Sequence, residues 1–245
     1  MADSKRTPVK SPGKPSLPGT SKANEIDAFL AQAKAMTPAS VDGRGRLIFA
    51  LDATMSRQPT WDRALQLQSE MFEQAGKVGG LDVQLIYFRG FNECRASKWV
   101  SDTKGLRDLM TGIDCRGGNT QIGKVLSHAR KETGKKKVSV MVFVGDALEE
   151  PIDKLAAKAG ELGLLGLRLF LFQEGHDARA ATAFRELARL TRGAYCRFDT
   201  GSARQLRELL TAVAAYAAGG RKAMEQLAEG SGGKGARLLI EQMKR

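Results

Sequence analysis

Apolar positions along the middle of the chain follow two patterns. Strongly apolar runs occupy Leu47–Leu51, unbroken, and Val83–Phe88, Val138–Val144, Leu167–Phe172 and Ala194–Phe198, broken by Gln84, Ser139, Arg168 and Arg197. Runs this short and this apolar predict strands buried on both faces. Between them, apolar residues recur at helical spacing. One stripe is Ala64, Leu67, Met71 and Ala75; another is Leu106, Leu109, Met110 and Ile113. Ile122, Val125, Leu126 and Ala129 make a third, and Ile152, Leu155, Ala156 and Ala159 a fourth. Phe184, Leu187 and Ala188, then Leu206, Leu209, Leu210, Val213 and Ala217, complete the series. The alternation predicts an α/β, doubly wound, mostly parallel sheet with helices on both faces. Trp99-Val100, after a polar loop with Gly90 and Asn92, predicts a hairpin return and one antiparallel edge strand.

The two ends break this pattern. Residues 1–25 hold Pro8, Pro12, Pro15 and Pro18 among Ser, Lys and Gly, and too few apolar groups to offset chain entropy. They read as a disordered basic tail. Residues 26–218 read as the folded domain. In 219–245, Gly219-Gly220 and the stretch 230–235 read as a Gly-rich linker. Leu238, Leu239 and Met243 then share one side of a short amphipathic C-terminal helix, read either as a second docking element or as a frayed tail.

Charge and composition narrow the function. The 245 residues carry a net charge of +12, with five basic residues against two acids in 1–25 and six against three in 219–245. A solubilising role for these tails and electrostatic contact with nucleic acid both fit. With 6% aromatics the core is aliphatic. No apolar run approaches the ~18 residues of a membrane helix, and Met1 to Gly19 lacks a secretory h-region. Cys94, Cys115 and Cys196 are odd in number and widely spaced, which excludes a disulfide framework and a CxxC zinc site. A reducing cytoplasm follows.

In a doubly wound sheet, ligands bind beyond the carboxyl ends of the strands, where strand order reverses. Three oxygen-bearing loops fall there. Asp52, Thr54 and Ser56 follow the first strand, Asp146 follows the strand at 138–144, and Gly117-Gly118-Asn119-Thr120 opens a helix between them. Positions 52, 54 and 56 alternate along an extended turn, so their side chains can converge. Carboxylate and hydroxyl oxygens without sulfur or imidazole suit Mg²⁺ or Mn²⁺. A turn and helix caps would use the same residue types.

These residues resemble the metal-ion-dependent adhesion site of von Willebrand factor type A (VWA) domains. That family places DxSxS after the first strand, a Thr on a second loop and an Asp on a third. Asp52, Thr54 and Ser56 match the first motif, with Thr in place of the usual Ser. Gly118-Asn119-Thr120 resembles the second loop and Asp146 the third, where Gly145-Asp146-Ala147 replaces the common Thr-Asp-Gly. The resemblance covers roughly 45–217. It implies Thr54 and Ser56 as direct ligands of Mg²⁺ (or Mn²⁺), Thr120 as direct or water-linked, and Asp52 and Asp146 acting through water. It also implies a non-enzymatic, cytoplasmic adaptor that binds an Asp or Glu of a partner protein, in assemblies that include those of AAA+ ATPases.

Two rivals rest on other features. Asp52, Gly145-Asp146 and Asp153 are loosely similar to haloacid-dehalogenase-like Mg²⁺ phosphohydrolases. Those need a second Asp as acid/base where this chain has Thr54. The basic tails and Lys135-Lys136-Lys137 suggest a nucleic-acid binder. Glu149 and Glu150, close after Asp146, read either as acids that tune or compete at the metal or as acids near the positive end of the helix that follows them. Trp61 reads as a packing residue or a rim contact, and Cys94 and Cys115 as loop thiols.

Overall fold

A computed structural model describes residues 44–76, 79–199, 202–230 and 233–243. The basic tail expected at 1–25, and residues 26–43, lie outside this set. Six strands form one sheet: β1 (Gly45–Asp52), β2 (Leu81–Arg89), β3 (Glu93–Val100), β4 (Val140–Gly145), β5 (Arg168–Glu174) and β6 (Ala194–Phe198). Their order is β3-β2-β1-β4-β5-β6, and only β3 runs antiparallel. The doubly wound sheet with one antiparallel edge strand is thus as the sequence pattern predicts.

Among the described residues seven α-helices surround it: α1 (Gln58–Gly76), α2 (Thr103–Thr111), α3 (Ile122–Lys135), α4 (Ile152–Leu164), α5 (Ala178–Leu190), α6 (Ala203–Glu229) and α7 (Lys234–Gln242). Successive side chains of a strand face opposite sides, and β1 shows why its run must be continuously apolar. Leu47, Phe49 and Leu51 enter the core under α1, α2, α6 and α7. Ile48 and Ala50 enter the core under α3, α4 and α5. All five are at most 2% exposed.

The carboxy-terminal region departs from the expected linker and separate helix. Gly220 adopts φ +67° and breaks α6 without ending it. The positive φ costs glycine little, so the chain changes direction and stays helical. Gly233 then leads into α7, which packs back on α6 and β6. Ala236 and Leu239 are buried, and Ile240 and Met243 pack beside them. At Gly235 a Cβ would lie 2.6 Å from the Glu208 backbone, so the two helices meet at a distance that excludes a side chain. Gln242 Oε1 accepts from the Tyr195 amide of edge strand β6 at 3.0 Å, and Gln205 Nε2 donates to the Arg197 carbonyl at 3.0 Å. Side-chain amides thus occupy outward-facing groups of β6 that another strand would pair with.

Candidate metal centre

Strand order reverses between β1 and β4, and the first and third oxygen-bearing loops leave the sheet there. Asp52 ends β1 at 3% exposure. Its Oδ1 accepts from the Thr54 amide at 2.8 Å. Burial pushes its carboxyl up to about 6, with Asp146 adding to the rise; the Thr54 hydrogen bonds and Arg57 oppose it. A carboxylate costly to keep charged alone is one that a cation would stabilise.

Thr54 remains extended, and a 3₁₀ turn at Met55–Arg57 follows. This brings Thr54 Oγ1 within 3.3 Å of Ser56 Oγ. Ser56 Oγ in turn donates to Asp146 Oδ2 at 3.2 Å. The second loop stands on the β2–β3 turn. Asn119 N donates to the Gly90 carbonyl at 3.1 Å, and a Cβ on Gly118 would lie 2.1 Å from that oxygen. Gly118 is therefore required for the approach, whereas a Cβ on Gly117 would meet nothing within 4 Å. All five sequence-selected residues, Asp52, Thr54, Ser56, Thr120 and Asp146, line one cleft of about 210 Å³ with Met55, Gly117, Gly118, Ala147 and Glu149.

The donor set fits a hard divalent cation. Cis oxygens around an octahedral ion with bonds near 2.1 Å lie about 3.0 Å apart. The Thr54–Ser56 and Ser56–Asp146 oxygen pairs, at 3.3 and 3.2 Å, are close to that edge length. Among the described residues no group of three or more His, Cys, Asp or Glu is placed to hold a metal. A site here depends on hydroxyls, which disfavours the softer transition metals.

Four residues join the centre that the motif did not single out. Glu149 Oε2 accepts from both the Thr120 amide, at 2.6 Å, and its hydroxyl, at 2.8 Å. Thr120 Oγ1 accepts back from the Glu149 amide at 3.2 Å. Beneath the cleft, Arg57 is 3% exposed. It pairs with Glu174 and reaches Asp146 Oδ2 at 3.8 Å. The Thr60 hydroxyl donates to the same Glu174 oxygen. Thr60 is thus part of a buried ion-pair cluster. An Arg directly after the motif's Ser56 was the one signal in the sequence; nothing local names Glu174.

Other expectations change. Glu150 caps not the helix that follows it but α3, accepting from the Gly123 amide at 2.9 Å and also from Ile122. Trp61 is 2% exposed and donates to the Met110 carbonyl at 3.3 Å, a core role with no rim contact. Cys115 is buried and Cys94 lies half-buried in β3. Burial pushes both thiols up to about 11 and Cys196 to about 12, so none is an activated nucleophile. His128 bonds Gln84 at 3.0 Å, away from the cleft.

No family model matches the chain, and no curated protein does. Solved structures do. The VWA domain of SpRpn10 aligns over 72% of this chain and 97% of its own, at TM-score 0.54 and 12% identity.

The chain has the von Willebrand factor type A fold.

An aerotolerance-related membrane protein from Bacteroides fragilis aligns over 68% of this chain and 96% of its own, at TM-score 0.53 and 18% identity. Proximal thread matrix protein 1 from the mussel byssus, with a zinc-occupied MIDAS motif, aligns over 80% of this VWA-fold chain at TM-score 0.55 and 16% identity. The match spans 52% of that protein. Among the described residues no helix is long and apolar enough to cross a membrane.

Proposed function

We propose that this chain is a protein-interaction module that binds a partner's Asp or Glu through a divalent cation, Mg²⁺ or Mn²⁺, held in the β1/β4 cleft. The observation that carries this reading is the run of oxygens at the switch point of the sheet, in which the Thr54 hydroxyl meets that of Ser56 and Ser56 donates to Asp146. Thr54 and Ser56 would hold the ion directly. Asp52 and Asp146 would balance its charge and orient its waters, with Thr120 beside them. When bound, the ion supplies an electron-poor centre that a partner carboxylate can complete. Two exposed apolar side chains stand near it. Met55 lines the cleft at 62% exposure, and Phe91 is 83% exposed on the turn that supports the second loop. Three free cysteines fit a reducing compartment, and a cytoplasmic adaptor, with AAA+ ATPases among its partners, is the form this reading takes.

Calorimetric titration of Mg²⁺ and Mn²⁺ into chelator-stripped protein tests the site, beside Asp52→Ala and Asp146→Ala variants checked for folding. Saturable binding lost in both variants is expected. A folded wild type that takes up neither ion would remove the basis for this reading.

A further inference from the structure

The Thr120 hydrogen bonds point to a carboxylate that the chain supplies to its own metal centre. Glu149 Oε2 lies 2.8 Å from Thr120 Oγ1. That separation is again close to the ~3.0 Å edge between neighbouring oxygens of an octahedral site. It is also shorter than the Thr54–Ser56 and Ser56–Asp146 separations in the same cleft. Among the described residues Glu149 is the only carboxylate lining this cleft besides Asp52 and Asp146. We propose that Glu149 is an intramolecular ligand that fills the coordination position a partner's acidic residue would take, so that the third loop carries a built-in competitor for the site. This rests on the metal-dependent reading above.

Charge supports the assignment. Asp52, Asp146 and Glu149 face one cleft, and Arg57, which reaches Asp146, is engaged by buried Glu174. A divalent ion leaves three carboxylates with a surplus negative charge. A fourth carboxylate, from a partner, adds to the repulsion unless Glu149 withdraws. The loop is built to let it do so. Leu148 on one side is 5% exposed in the core, and Glu150 on the other is fixed to the amino end of α3. Glu149 between them is exposed. Its side chain can turn outward while both neighbours keep their places, and Thr120 then regains a free hydroxyl.

The test uses Mn²⁺ with full-length protein, read by calorimetry and by water-proton relaxation, which counts the waters on the bound ion. Glu149→Gln keeps an oxygen to accept from Thr120 and so preserves the loop, but an amide oxygen is a poorer ligand. Glu149→Ala removes the group altogether. In both, Kd for Mn²⁺ should rise at least about tenfold, the usual effect of losing a metal-site partner, and the ion should carry one more water. Added acetate should displace that extra water in the variants and leave wild type unchanged. Equal water counts and equal Kd in wild type and both variants would overturn the proposal while leaving the metal site in place. If the folded wild type binds no Mn²⁺, the metal reading itself fails, an outcome distinct from Mn²⁺ binding that ignores Glu149.

Discussion

Replacing Leu239 by Ala tests whether α7 belongs to the core or is an appended tail. Leu239 is 0% exposed, in a cluster with residues of α6 and the sheet, and Ala236 one turn earlier is 1% exposed. A fully buried Leu truncated to Ala costs about 2–5 kcal/mol, through lost transfer energy and the cavity left behind. We take about 3 kcal/mol, because α7 lies at the edge of the cluster and can partly collapse onto the void. In a domain of this size that lowers Tm by roughly 6–12 °C. Leu238, its neighbour in sequence and about 100° round the helix, is 38% exposed. Leu238→Ala should cost about 0.5 kcal/mol or less. Urea denaturation followed by circular dichroism reads both variants, and wild-type m values would show that the folded state is otherwise unchanged. Two variants within about 0.5 kcal/mol of wild type and of each other would refute the packing of α7. They would restore the reading of 219–245 as a linker with a loosely attached helix.

Two further outcomes follow from the buried and exposed ion pairs. Glu174→Ala leaves the Arg57 guanidinium charged in a site where both side chains are 4% exposed, and should destabilise by about 3–5 kcal/mol in urea; a loss below about 1 kcal/mol would mean that water reaches Arg57. Asp114 is held down to about 2, chiefly by Arg116 and then by Arg89. Its folded pKa is below the unfolded value, so its contribution is present above about pH 4 and is lost as pH falls towards 2. The Tm difference between wild type and Asp114→Asn should therefore shrink across that window in thermal melts, and a constant difference from pH 6 to pH 2.5 would contradict the pairing.

What the sequence determined by itself is what local periodicity encodes. A strand buried on both faces is largely apolar, so β1, β2, β4, β5 and β6 stand out as apolar runs with few polar interruptions, and the helices between them as 3.6-residue stripes. The polar residues that interrupt these runs at strand ends, Asp52 and Asp146, could be located for the same reason, and Thr120 through the glycines before it. Tertiary structure alone decided which side chains meet across loops. Thr120 and Glu149 are 29 residues apart, and Thr60 and Glu174 are 114 apart. No short pattern links such pairs, because their distance depends on how helices and strands stack. The same holds for the cap of α3, which comes from Glu150 on another loop, where a local reading assigns the acid to its own helix. Gly220 shows the limit most plainly. Alone it reads as a break in the chain; folded, at φ +67°, it is the bend that lets the chain return and bury Leu239.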